Sequence, residues 1–291
     1  VTAPGDGGAR PRVLVLSSLF PRPGRRGAGV FIRERMFRVG RELPVTVVVP
    51  VPWFPFQGLL RRRHPDFRPP APRSETQEGI TVHFPRFFSV PGLFRSLDGL
   101  FMALGALPLL LRLRRRGGFD LIDAHFAYPD GYAAALLGRW LRVPVAVTLR
   151  GTEVPLAASR LRRRAMLRAL AAADRVFAVA EALKRHVVWL GADPAKITVI
   201  GNGVDADKFS PIPRGEARKR LGLPQDVSVL VSVGGLVERK GFHRVIECLP
   251  AMLRRYPGLL YAVLGGASPE GECAARLHGL VADLKLQAHV R

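Results

Sequence analysis

The chain of 291 residues is 48% apolar, long enough for two cored domains and too apolar for a disordered protein. Its two cysteines, Cys248 and Cys273, form neither a CxxC pair nor a disulfide ladder, so a reducing compartment is the simpler setting. The formal charge is +22, with 39 of the 45 cations arginine; the basic runs lack interleaved aromatics and zinc-finger or RNP-type spacing, which weighs against nucleic acid, whereas an anionic membrane leaflet satisfies the same charge.

Residues 1–10 are Gly-rich and polar, without the apolar segment of a secretory signal. An apolar strand at 13–19, a helix at 30–41 with Phe31, Arg35 and Val39 on successive turns, and a second strand at 45–49 open a doubly wound sheet. The Pro/Arg-rich stretch 50–73 interrupts the pattern as an insertion or mobile loop would. Alternation resumes with strands at 80–84, 121–124, 143–149, 176–180 and 197–200, separated by helices ending near Arg116 and at 132–141, 157–172 and 181–190. Continuous apolar strands favour a parallel sheet covered on both faces. The run 99–111, closed by the arginines of 112–116, is too short to span a bilayer. It reads either as a buried helix or as a helix lying in the membrane interface.

Asn202, Gly203, Val204 and Asp205, followed by the proline-rich 209–213, have the composition of a linker. The expected organisation is a first domain over 1–204, a linker over 205–215 and a partial second α/β domain over 216–291. That second domain is expected to hold a helix at 216–221, a strand at 227–233, a helix at 242–255 and a strand at 259–264. Two or three strands are few for a doubly wound domain, so it reads as cut short.

Three places carry chemistry. Gly234, Gly235, Leu236, Val237, Glu238, Arg239, Lys240 and Gly241 lie between a β-branched strand and an amphipathic helix. Arg239 and Lys240 thus sit where unpaired helix N–H groups already concentrate positive potential, a grouping that suits a phosphate or diphosphate; a solvated, screened turn is the plain alternative. The loop at 20–30 lacks the GxGxxG and GxxxxGK[ST] spacings, so Gly27 and Gly29 are expected to let a substrate approach the backbone. Asp123 and His125 close one strand, and Arg150, Gly151, Thr152 and Glu153 follow another, so both clusters project from carboxyl ends of strands. His125 is read as a ligand contact, with a core histidine as the alternative. No HExxH or Ser–His–Asp spacing occurs, the seven histidines are too scattered for a metal site, and no metal or other cofactor is expected. With few carboxylates, chemistry driven by phosphate departure suits the inventory better than hydrolysis by paired acids.

From residue 13 to the end, the order of the His125 strand end, the Arg150–Gly151–Thr152 turn, Asn202 to Asp205 with Phe209, and the 234–241 turn resembles the retaining, nucleotide-sugar-dependent glycosyltransferases of the GT-B fold, family 4. The resemblance implies an α/β protein of two Rossmann-like domains facing a cleft, the second incomplete here. It implies an acceptor held mainly by the first domain (Gly27, Gly29, Arg150, Gly151, Thr152, Glu153) and a nucleotide-sugar diphosphate held by Gly234, Gly235, Arg239 and Lys240. His125 and Lys240 would be the catalytic pair, moving a hexosyl group with retention to a lipid-linked or glycan hydroxyl. An epimerase or hydrolase of the same fold, or a non-enzymatic basic membrane- or nucleic-acid-binding protein, is the alternative. The family's G-R-L-x-x-x-K-G pattern keeps its lysine as Lys240 but has Gly235 in place of the arginine. Its E-x7-E pair is not matched by Glu270 and Glu272, so little turnover is expected of these residues alone. A cytoplasmic protein, peripheral on the inner membrane face, completes the expectation.

Overall fold

The computed structural model describes residues 10–64, 67–266 and 271–291, and Glu270 lies outside them. The chain divides into two compact units, Val1–Val204 and Asp205–Arg291.

The first unit runs β1 (Val13–Leu16), α1 (Val30–Val39), β2 (Val45–Val48), β3 (Val51–Trp53), α2 (Gln57–Arg63), β4 (Ser74–Gln77), β5 (Ile80–His83), β6 (Arg86–Phe88) and α3 (Asp98–Arg115). It continues through β7 (Leu121–His125), α4 (Tyr132–Leu141), β8 (Val145–Leu149), α5 (Glu153–Leu156), α6 (Arg160–Ala172), β9 (Arg175–Ala178), α7 (Glu181–Trp189) and β10 (Ile197–Val199). Eight strands form one sheet in the order β10-β9-β8-β7-β1-β2-β5-β4, parallel except for the antiparallel pair β4 and β5. Strand β1 sits centrally, and its side chains divide strictly by parity. Leu14 and Leu16 enter the core against α3 and α4, whereas Val13 and Val15 enter the core against Ile32, Met36 and Phe37 of α1. Both faces are therefore covered, which is why the central strands read as largely apolar runs.

Chain direction away from β1 reverses at its junction with β7, because β2 lies on one side of β1 and β7 to β10 extend on the other. In open α/β sheets such a switch point opens a crevice at the carboxyl ends of the strands.

Segment 50–73 is not a plain loop. Strand β3 pairs in parallel with β6, and α2 follows β3. Pro52 is tolerated because this ribbon has only two strands, both of them edges. The expected helix at 157–172 begins three residues later, as α6, and the short α5 precedes it. Helix α3 buries Gly99, Met102, Ala103, Ala106 and Leu110, so one side of the run 99–111 packs into the domain core, while Leu104 and Leu111 on it are exposed. Gly105 packs on β6, where an added Cβ would stand 2.5 Å from the Arg86 carbonyl oxygen. Among the described residues no helix is long and apolar enough to cross a membrane.

The second unit contains α8 (Arg214–Arg220), β11 (Val229–Val233), α9 (Phe242–Leu253), β12 (Leu260–Leu264) and α10 (Ala274–Asp283). Helix α8 starts two residues inside the expected linker. Strands β11 and β12 are parallel, and Val290 makes a further parallel bridge to Tyr261. Phe242, Ile246 and Leu249 recur at one-turn intervals along α9 and pack on Leu259 and Tyr261, with Leu277 and Leu286 closing the core.

Candidate active site

The switch point holds a buried polar group. Asp123 and His125 are two apart on β7 and share the sheet face toward α1. From α1 come Phe31 and Arg35, one helical turn apart. From the end of β8 comes Arg150, whose guanidinium carbon lies 5.1 Å from the centroid of the Phe31 ring, a cation–π contact.

Arg150 Nε donates to His125 Nδ1 at 3.2 Å, and Arg150 Nη1 donates to Asn202 Oδ1 at 3.2 Å. His125 has no solvent exposure. Burial holds its pKa well below the usual imidazole range, and the charges of Arg150 and Arg35 add to that effect. The ring is therefore neutral near pH 7, and because Nδ1 accepts from arginine its proton lies on Nε2. Nε2 stands 3.7 Å from Asp123 Oδ2, beyond hydrogen-bond reach. Burial raises the Asp123 carboxyl to about 6 against the opposing pull of Arg35 and Arg150. Burial, with Arg35 nearby, lowers Arg150 to about 10, which leaves it charged. Within the protein, His125 Nε2, Asp123 Oδ1, Arg35 Nη1 and Arg150 Nη2 find no hydrogen-bond partner. Four unpartnered polar atoms at one switch point are costly unless a polar ligand meets them.

Two further carboxylates hold the loops. Glu153, fully buried, accepts from Gly151 N at 2.7 Å and Ala127 N at 3.3 Å, which braces the turn after β8 against the turn after β7. Asp130, also fully buried, accepts from the Ser18 backbone N–H and from Ser18 Oγ at 3.0 Å, fixing the loop after β1. Burial pushes its carboxyl up to about 7.

Several sequence expectations need correction here. Glu153 turns inward and is committed to backbone N–H groups, so it does not face an acceptor. Gly29 starts α1 at φ 68°, and a Cβ there would stand 2.3 Å from the Leu19 carbonyl oxygen. Close approach of the chain to itself, not to a substrate, requires that glycine. Gly27 is exposed with open space around its Cβ position. Gly151 adopts φ 108°, and Thr152 is the exposed residue before α5. Sequence reasoning missed Arg35, Phe31 and Ser18, although the one-turn spacing of Phe31 and Arg35 was visible.

In the second unit the turn after β11 continues the strand ladder, with Gly234 N donating to Leu264 O and Leu236 N to Gly266 O, both at 2.9 Å. The Gly234 N–H is thus not available to a diphosphate, contrary to expectation. Gly235 O accepts from Val237 N at 2.8 Å. Glu238, Arg239 and Lys240 form a single 3-10 turn ending at Gly241, which starts α9 at φ 72°. Lys240 is exposed and its chain folds back over Gly234, where a Cβ would stand 3.5 Å from Cε. Glu238 pairs with Arg276 at 2.5 Å. Phe209 is exposed in a turn closed by its N–H to Asp205 O at 2.9 Å. Among the described residues no three His, Cys, Asp or Glu side chains gather.

A mainly parallel sheet with helices on both faces, polar side chains at its switch point, and a second β-α-β unit opening on a basic turn together define the Rossmann-like architecture of the GT-B class. The profile of Glycosyltransferase Family 4 matches residues 3–208, and the chain belongs to that family. It is 30% identical over 248 residues to TuaC of Bacillus subtilis (strain 168), a glycosyltransferase assigned to teichuronic acid biosynthesis, the match covering 83% of this chain and 62% of TuaC. It is 39% identical over 127 residues to the D-inositol 3-phosphate glycosyltransferase of Kineococcus radiotolerans, covering 41% of this chain and 29% of that protein. The matches thus span less than two thirds of these relatives' own lengths. Among solved structures, Anabaena Alr3699/HepE in complex with UDP-glucose superposes with a TM-score of 0.65 at 19% identity, over 97% of this chain and 68% of that one.

Proposed function

We propose that the protein transfers a hexosyl group from a nucleoside-diphosphate sugar to a hydroxyl of a lipid-linked or glycan acceptor, with retention at the anomeric carbon. The observation that carries this reading is the neutral, buried His125, whose Nε2–H is oriented by Arg150 and unpaired within the protein. A neutral donor of this kind suits a sugar hydroxyl, which exchanges hydrogen bonds without charge, better than it suits a proton-transfer step. Lys240, Arg239 and the N-terminal turn of α9 are assigned to the diphosphate, whose charge grows as the glycosidic bond breaks. Arg35 and Arg150 retain unpaired donors that fit an anionic or polyhydroxylated acceptor. Family membership supports the retaining stereochemistry. The names of TuaC and of the D-inositol 3-phosphate glycosyltransferase support a polyhydroxylated or phosphorylated acceptor.

The test is incubation with UDP- and GDP-sugars, with and without lipid-linked and soluble glycan acceptors, following products by NMR. Acceptor-dependent product with the donor's anomeric configuration is expected. Donor breakdown or epimerisation at the same rate without acceptor would instead support an epimerase or hydrolase.

A further inference from the structure

The β3/β6 ribbon carries a surface made of residues other than those assigned above to the sugar, the acceptor or the diphosphate. Its strands are parallel, with Val51 opposite Arg86 and Trp53 opposite Phe88, so the segments that follow them leave the fold at one end. The first is 54–63 with α2, and the second is 89–97 leading into α3. Arg68 joins the two: its Nη1 donates to Ser89 O at 2.5 Å and its carbonyl accepts Arg61 Nε at 3.2 Å. Its guanidinium carbon also lies 5.7 Å from the ring centroids of both Phe54 and Phe67.

Along these segments apolar side chains stand in solvent: Phe56 is 82% exposed, Leu59 58%, Leu93 57% and Phe94 60%. Where the two strands end, Trp53, Phe88, Phe101 and Leu104 line an apolar groove that also includes Arg86. Phe88 and Phe101 meet edge to face at 5.5 Å.

The accompanying charge has one sign. Arg61, Arg62 and Arg63 fill the last turn of α2, and Arg95 directly follows Phe94. Residues 86–97 contain no carboxylate, and the one carboxylate of 50–73 is Asp66, outside the described residues. Asp98, at the start of α3, faces Arg68 and Arg95 and is partly buried.

We propose that Phe56, Leu59, Leu93 and Phe94, framed by Arg61, Arg62, Arg63 and Arg95, dock the protein onto an anionic lipid bilayer. A protein interface of this apolarity seats its anchors in pockets and pairs its rim charges with both signs. Here the apolar groups are exposed side chains and their neighbours in sequence are arginines, which matches insertion of Phe and Leu beneath headgroups while guanidinium groups stay at phosphate level. The proposal goes beyond the transfer reaction, and a lipid-linked acceptor would give the docking its purpose.

Flotation with vesicles of phosphatidylcholine containing about 30% phosphatidylglycerol tests it, with pure phosphatidylcholine as the control. The protein is expected to float with the anionic vesicles at low salt and much less with neutral ones. Combined Phe56→Ser, Leu59→Ser, Leu93→Ser and Phe94→Ser, all at exposed positions, should lower bound protein by about tenfold or more with unchanged circular dichroism. Arg61→Gln, Arg62→Gln and Arg63→Gln together should remove most of the salt dependence, whereas Arg112→Gln with Arg114→Gln should change binding far less. Equal flotation of the wild type and the fourfold serine variant overturns the proposal, as does absence of wild-type binding at low salt. If neither protein floats and the serine substitutions convert a dimer to a monomer in light scattering, the patch belongs to a second copy and the bilayer is rejected. Flotation needs neither donor nor acceptor, so its outcome is independent of the transferase reading.

Discussion

Arg150 Nε and His125 Nδ1 lie 3.2 Å apart at the carboxyl ends of adjacent parallel strands. Because arginine can only donate, this contact places the imidazole proton on Nε2 and turns a buried histidine into an oriented hydrogen-bond donor. The same arginine is held from its other side by Asn202 and stacked on Phe31, so the tautomer is set by a fixed group.

Arg150→Met should therefore lower kcat by roughly 10- to 100-fold, with a smaller change in the KM for donor, because the ring loses its orientation and fixed tautomer. Nitrogen-15 NMR of the histidines should show a single Nε2–H species for His125 in the wild type and a mixture in the variant. His125→Ala serves as the comparison and should reduce turnover more than nucleotide affinity. If it instead lowers stability and activity in equal measure, His125 is a packing residue and the sugar contact is wrong.

Lys240→Ala should weaken nucleoside-diphosphate binding by about 10- to 150-fold, the loss of one charge-assisted contact worth roughly 1.5–3 kcal/mol. The fold should be unaffected, since the side chain is exposed. Calorimetric titration with UDP and GDP measures this directly. Unchanged affinity for both nucleotides would remove Lys240 from the donor site.

Stability should depend on pH through Asp130. Its carboxyl rises from an ordinary 3.8 to about 7 on folding because of burial, so the folded state binds a proton that the unfolded state releases between those values. The resulting stabilisation is fully present below about pH 4 and is lost as pH rises toward 7, with a limiting slope of about 1.4 kcal/mol per pH unit. Asp123, raised to about 6 by burial, adds to the loss at the lower end of that window. Urea denaturation from pH 4.5 to 7.5 should show this decline, and Asp130→Asn should flatten it. An Asn variant with the same pH slope as the wild type would show that Asp130 is ionised throughout.

What the sequence determined alone was whatever short-range chemistry dictates. The unbroken apolar run of β1 and the largely apolar β8 announced a parallel sheet buried on both faces, and α4 was legible at its observed ends because its apolar period is undisturbed. The basic turn after β11 was equally plain, since strand, glycines, cations and helix follow one another within a dozen residues. The β3/β6 ribbon was not legible: its strands are three residues each, one contains proline, and they pair across more than thirty positions. Gly29 and Glu153 were placed in the crevice from position alone, but packing turned the first against Leu19 and the second onto Gly151 and Ala127. Arg35, His125, Arg150 and Asn202 are distant in sequence, so their meeting, the direction of each pKa shift and the His125 tautomer are tertiary facts. Only the folded chain could decide them, because burial and the distances between charges exist only once separate elements are brought together.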